Sequence, residues 1–155
     1  MAFARRTLTG LLTIAAGLGL GVAAAIPASA AESGSWHAYG NTNPITSSSA
    51  TWHCAGSKAL ASSVVAQVCA IRSVGGGAVQ GAVIVRNNRA SLYSVDAAMD
   101  LYTSSGTRLG DWACASSGVA ANSWSVCFGR TLAQSSPVNS VGSAKGVNLG
   151  VSPNV

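Results

Sequence analysis

Cysteine and histidine are the residue types of this chain that are best suited to catalysis, metal binding or cross-linking. The chain contains four cysteines and two histidines. They are Cys54, Cys69, Cys114, Cys127, His37 and His53. A redox pair would take the form C-x-x-C, and zinc-binding cysteines lie two to four residues apart. The cysteines here are separated by fourteen residues and by twelve. The spacing therefore argues against reactive thiols, and we expect no metal.

Disulfide bonds are the remaining chemistry for the cysteines. An even number of cysteines in an exported chain favours them, although four cysteines allow three connectivities. A short internal sequence repeat favours one of these connectivities. The pattern W-x-C-A-[GS]-S begins at Trp52 and again at Trp112, and each block closes on Val-Cys, at Cys69 and at Cys127. We therefore predict the pairs Cys54–Cys69 and Cys114–Cys127.

Catalytic side chains are sparse. His37 falls in a polar N-terminal segment and His53 lies next to a cysteine, and the chain has neither a G-x-S-x-G nor an S-x-x-K motif. Asp96 and Asp100 would be about 13 Å apart on one strand, beyond the ~5–9.5 Å of glycosidase pairs. Asp111 can approach either of them across a hairpin. We predict surface aspartates, no catalytic residue and no cofactor.

Aromatic and loop residues are the better candidates for binding. Trp52, Trp112 and Trp124 lie close to cysteines, which favours burial, whereas Trp36 and Tyr39 lie in the polar N-terminal segment and are predicted to make exposed contacts. A second candidate surface is the loop between Cys114 and Cys127. It would present Ser116, Ser117 and Asn122 on a disulfide-anchored loop.

The first thirty residues read as a secretory signal peptide. Arg5 and Arg6 are followed by an uncharged run over 8–26, and the small-residue sequence Ala28-Ser29-Ala30 marks a cleavage site. We predict cleavage after Ala30. Two alternatives are an uncleaved anchor, because the run is nearly long enough to span a bilayer, and twin-arginine rather than Sec export. After cleavage no further membrane segment is expected.

Charge limits the choice of partners. Only 8% of the residues are charged, and the chain carries a net charge of +5. Loss of the signal leaves seven basic and four acidic residues, a net charge of +3. Nucleic-acid binding needs basic residues clustered on one face. Apart from Arg86-Asn87-Asn88-Arg89, which reads as a hairpin turn, the basic residues are scattered, and we expect no nucleic-acid partner.

Short strands separated by turns dominate the mature chain. Residues 31–50 are polar and predict a flexible lead-in, and 51–155 predict a single β domain. Residues 95–102 alternate between apolar and polar side chains, the clearest strand signal in the chain. Residues 57–68 fit a short helix as an alternative. The sequence predicts an all-β fold, a small disulfide-stapled antiparallel β-sandwich with an Ig-like arrangement as one form, or else a barrel.

The chain resembles small secreted proteins of actinomycete bacteria. Three stretches carry the resemblance, together with the Ala/Gly-rich signal: 119–122 (VAAN), 126–129 (VCFG) and the ending 152–155 (SPNV). It implies export and a β fold only. Subtilisin-inhibitor-type proteins are similar in having two disulfides, one of them between cysteines spaced like Cys54 and Cys69, but the remaining pair here is spaced too closely for their pattern. Enediyne-carrier apoproteins are similar as secreted Ig-like sandwiches with two disulfides, but their cysteine loops are shorter. Neither resemblance implies a functional residue here.

Three functions follow as hypotheses. The first is a non-enzymatic secreted protein that binds an extracellular protein or a cell-wall polymer, in the medium or at the cell envelope. The second is an extracellular protease inhibitor that presents the loop 115–126. The third is a small secreted hydrolase using His53.

Overall fold

The computed structural model describes residues 30–155, so the predicted signal peptide lies outside the described residues except for Ala30. This part of the chain forms twelve β-strands and no helix. The strands are β1 (Glu32–Ser33), β2 (Ser35–Gly40), β3 (Thr51–Cys54), β4 (Lys58–Ala61), β5 (Val64–Arg72), β6 (Ala78–Asn87), β7 (Tyr93–Thr103), β8 (Arg108–Val119), β9 (Ser123–Phe128), β10 (Leu132–Ala133), β11 (Val138–Ala144) and β12 (Val147–Val151). Nothing helical in residues 30–155 is long and apolar enough to cross a membrane.

The strands form two sheets packed face to face. The five-stranded sheet has the order β1-β8-β7-β11-β12. The seven-stranded sheet has the order β2-β9-β6-β5-β3, with β10 beside β6 and β4 beside β5. Among these pairs only β1–β8 is parallel; the others are antiparallel. The predicted all-β, mainly antiparallel sandwich is confirmed.

The core between the sheets follows from the period of two along each strand. On β7, Val95, Ala97, Met99 and Leu101 are buried, as the alternation in the sequence predicts. Inward-facing side chains of β5 and β6 meet them from the other sheet. These are mostly Val and Ala, so few bulky side chains fill the space. Trp112 is the largest of the fully buried residues.

A second apolar layer covers the outer face of the seven-stranded sheet. It contains Cys69, Ile71, Ala82, Ile84 and Val126. The segment 41–50 packs against this layer, with Pro44 buried and with Ile45 in contact with the apolar cluster. Because both faces of the sheet are covered here, five consecutive residues of β6, 81–85, are buried. The continuous apolar run in the sequence of β6 has this cause.

Two sequence predictions differ from the structure. Residues 31–50, predicted as a lead-in, contain β1 and β2, and each pairs within a sheet. The side chains of β2 are exposed or only partly buried because β2 is an edge strand, and its sequence therefore lacks a strong alternation. The helix alternative over 57–68 is wrong. The segment is a hairpin of β4 and β5, turning at Ser62–Ser63.

Asn87 ends β6 and is fully buried, although the sequence predicts it as part of an exposed turn. Its side-chain Nδ2 donates to the carbonyl oxygens of Ser91, Val119 and Ala120 at 2.9–3.0 Å. Its Oδ1 accepts from the backbone N–H of Arg89. One amide therefore fastens the β6–β7 connection to the β8–β9 hairpin, which explains how a buried polar side chain is tolerated.

Both predicted disulfides are present. Cys54–Cys69 joins the directly paired strands β3 and β5 within one sheet, with 4.0 Å between the Cα atoms. Cys114–Cys127 joins β8 to β9 and so links the two sheets, with 6.1 Å between the Cα atoms. The described residues contain no free cysteine.

Candidate ligand-binding site

An aromatic cavity opens on the outer face of the seven-stranded sheet. Its volume is about 350 Å³. The lining residues come from β2, β6 and the end of β9, and we refer to them together as the aromatic cavity. They are Ser35, His37, Tyr39, Gln80, Phe128 and Gly129. Three rings and two polar side chains thus surround a space large enough for a small ligand.

Phe128 is at the centre of the rings. The edge-to-face contact of His37 with Phe128 has a centroid distance of 5.5 Å, and that of Trp52 with Phe128 has 6.0 Å. Trp52 lies on β3, three strands away from β9. On the neighbouring strand β6, the residue directly opposite Phe128 is the small Ala82. Edge-to-face contacts of this kind fix the ring planes.

Gln80 supplies the polar wall of the aromatic cavity. Its side-chain Nε2 donates to the carbonyl oxygen of Gly129 at 2.7 Å, and this bond fixes the amide at the edge of the rings. Gln80 also lines a smaller neighbouring cavity of about 150 Å³, together with Ile71, Ser73 and Thr131 among others. A ligand in the aromatic cavity would thus meet ring faces on one side and an oriented amide on the other.

The structure separates the two predicted aromatic contacts. Tyr39 lines the aromatic cavity, partly buried, and packs against the outer apolar layer. Trp36 packs instead against the core between the sheets, and its Nε1 donates to the carbonyl oxygen of Ala115 at 2.8 Å. That bond links β2 of the seven-stranded sheet to β8 of the five-stranded sheet. Trp36 therefore has a structural contact, and only Tyr39 faces a cavity.

The predicted loop residues lie elsewhere, at the β8–β9 hairpin. Ser116 and Ser117 belong to β8 rather than to a loop, because β8 continues to Val119. Asn122 is exposed in the turn with a positive φ of 50°. Only residues 120–122 lie between the strands. A protease inhibitor acting through 115–126 would therefore present a tight hairpin tip rather than an extended loop.

Neither histidine is paired with a carboxylate in the part of the chain that the structure describes. His53 Nδ1 contacts the carbonyl oxygen of Asn154, and His37 packs on Phe128. Within residues 30–155 no group of three or more His, Cys, Asp or Glu side chains is placed to hold a metal ion. In the aromatic cavity His37 contributes an imidazole ring that packs edge-to-face on Phe128.

The aspartates lie on the outer face of the other, five-stranded sheet. Asp100 and Asp111 are directly opposite in the β7–β8 register, as the sequence suggested for Asp111. Arg108 bridges them, with nitrogen–oxygen distances of 2.5 Å to Asp100 and 3.1 Å to Asp111. The hydrogen bond that Arg108 donates to Asp100 raises the pKa of the Arg108 guanidinium above its ordinary value. Asp96 is exposed on the same strand, β7, four residues before Asp100.

The residues that form the aromatic cavity were only partly found from the sequence. Tyr39 was predicted, but His37, Gln80 and Phe128 were not, because they come together from β2, β6 and β9 and share no motif. The one available signal was Phe128 itself. It follows a cysteine on a strand, so that its side chain must face opposite to the disulfide that enters the core.

Comparison with known proteins adds no relative. No protein-family model matches the chain, and no curated protein and no solved structure matches it significantly. The resemblance to secreted actinomycete proteins and the Ig-like form of the sandwich therefore stay predictions.

Proposed function

We propose that the chain is exported and acts outside the cell as a non-enzymatic binding protein, whose aromatic cavity holds a sugar ring of a cell-wall polymer. The observation that carries the proposal is the aromatic cavity itself: His37, Tyr39 and Phe128 around a space bordered by the fixed amide of Gln80. Pyranose rings have apolar faces and hydroxyl edges. They suit a site that combines ring faces with a few oriented polar groups.

Export is supported by the cysteine chemistry as well as by the N-terminal sequence. All four cysteines are joined in disulfides. Structural disulfides persist in oxidising compartments and are rare in the cytosol. The signal-like residues 1–30 and the cleavage pattern at Ala28-Ser29-Ala30 point the same way.

The test is binding of the oxidised mature protein to purified peptidoglycan, measured by co-sedimentation, and to soluble oligosaccharides of its glycan strand, measured by calorimetry. We expect saturable binding that Tyr39→Ala weakens at least about tenfold, since the loss of a stacked ring costs about 1.4 kcal/mol or more. Tyr102→Ala is the matched control. Tyr102 is also partly buried, but it lies on the five-stranded sheet.

Two results would overturn the proposal. One is equal binding by the wild type, Tyr39→Ala and Tyr102→Ala. The other is stoichiometric capture of one extracellular protease from the host's culture medium, with no binding to glycan, which would favour the inhibitor hypothesis.

A further inference from the structure

A second cavity, of about 380 Å³, lies on the outer face of the five-stranded sheet. We call it the acidic groove. Small residues such as Ala98 and Ser143 form part of its lining, and Asp100, Arg108 and Asp111 stand along one side. Ala98 is paired with Ser143 on β11 and with Ala113 on β8, so a row of short side chains crosses the sheet beside the aspartates.

Ala31 is also part of the lining of the acidic groove. The reason is the parallel pairing of β1 with β8, in which Glu32 lies opposite Trp112 and Ser33 opposite Ala113. One residue earlier, the same register brings Ala31 beside Asp111. Neighbouring strands lie about 4.8 Å apart, so the backbone nitrogen of Ala31 is within reach of the groove.

The charges of the acidic groove do not balance. Asp100 and Asp111 contribute two negative charges and Arg108 one positive charge, which leaves an excess of one negative charge. The nearby Glu32 is already paired with Arg130 at 3.3 Å, and it accepts a hydrogen bond from Trp112 Nε1. Lys145, beside Gly146 at the far side of the groove, is exposed. One further cation close to Asp111 would neutralise the groove.

We propose that the acidic groove is the binding site for the protein's own α-ammonium group, which cleavage after Ala30 creates on Ala31. Before cleavage the nitrogen of Ala31 is a neutral amide. Hydrolysis of the Ala30–Ala31 peptide bond by water gives a carboxylate on Ala30 and an amine on Ala31, which takes up a proton. The new cation then pairs with Asp111. The inference rests on the export half of the proposed function and is independent of sugar binding.

The test begins with protein exported by a host that removes the signal, with the intact mass establishing Ala31 as the first residue. The pKa of the Ala31 α-ammonium is then measured by NMR titration of selectively labelled alanine. An ordinary α-amino group has a pKa of about 7.7–8.0, and an opposite charge at close range raises it. We expect a value raised by about one unit, a tenfold change in proton affinity.

Two variants assign the shift. Asp111→Asn should return the pKa of Ala31 towards its ordinary value, whereas Asp96→Asn, which alters an exposed carboxylate outside the groove lining, should leave it raised. The dispersion of the NMR spectrum shows that each variant is folded. An ordinary pKa in the wild type, or a raised one that persists in Asp111→Asn, would overturn the assignment. A mature chain that begins at another residue would overturn its premise, and glycan binding distinguishes that failure from failure of the proposed function.

Discussion

The two cysteine blocks share the pattern W-x-C-A-[GS]-S but occupy different environments. In the second block Trp112 and Cys114 point into the core between the sheets, and Trp112 Nε1 donates to Glu32 Oε2 at 3.2 Å. In the first block Trp52 and Cys54 lie on the outer face of one sheet, and the buried Trp52 Nε1 has no hydrogen-bond partner among the described residues. Equal local spacing thus serves two purposes: one block joins the sheets and the other builds the outer aromatic layer.

The difference arises from topology rather than from the repeated residues. A tryptophan two positions before a cysteine shares its face of the strand. Cys54 has its partner on the neighbouring strand of the same sheet, whereas Cys114 has its partner on the opposite sheet. The disulfide within one sheet therefore lies on the outer face, and the disulfide between the sheets lies in the core.

The largest expected effect comes from truncating the two tryptophans. Trp112 is fully buried, and Gly110 and Gly129 pack so closely on its ring that a Cβ on either would lie 2.5 Å from it. Trp112→Ala should therefore reduce the free energy of unfolding by about 3–5 kcal/mol. Trp52→Ala, in the partly exposed outer layer, should reduce the free energy of unfolding by clearly less. Urea denaturation measures both, and equal losses would contradict the distinction between core and outer layer.

Removal of each disulfide sharpens the comparison. The cysteines of the two pairs are 15 and 13 residues apart, so loop-closure entropy alone predicts nearly equal losses of about 3 kcal/mol. The bond between the sheets has additional packing: a Cβ on Gly34 would lie only 2.8 Å from Cys114 Sγ. We expect the double variant Cys114→Ser/Cys127→Ser to lose more stability than Cys54→Ser/Cys69→Ser in thermal unfolding. A larger loss for Cys54→Ser/Cys69→Ser would show that the bond to the edge strand β3 contributes more to stability than the bond between the sheets.

The smallest expected effect separates the two indole N–H groups. Trp112→Phe loses a hydrogen bond to Glu32, whereas Trp52→Phe removes a buried donor that has no hydrogen-bond partner within residues 30–155. Leaving such a donor unsatisfied costs about 1–3 kcal/mol. Trp52→Phe should accordingly be the milder change by at least about 1 kcal/mol in urea denaturation. A larger loss for Trp52→Phe would mean that its N–H group is satisfied in solution.

Features set by a single strand were predictable, and features that depend on which strands meet were not. The alternation of apolar and polar residues in β7 predicted its core residues correctly, and the repeated cysteine pattern predicted the disulfide pairs. Asn87 reads as a turn residue, because nothing in its neighbourhood in the sequence shows that the carbonyl groups of residues 119 and 120 require a donor. Similarly, Tyr39 was predicted as a contact, but its cavity partners Gln80 and Phe128 lie 41 and 89 residues further along the chain.

The pairing of the first strands with β8 and β9 has a consequence for the order in which the chain folds. In the described part of the chain, the strands within residues 32–40 pair only with residues of the segment 112–128. A chain that crosses a membrane with its N-terminus leading would present β1 and β2 long before their partners arrive. Contacts this distant in sequence close slowly. We therefore expect residues 32–40 to be among the last parts of the domain to reach their place, and in an exported chain the sandwich would be completed by the strands that emerged first.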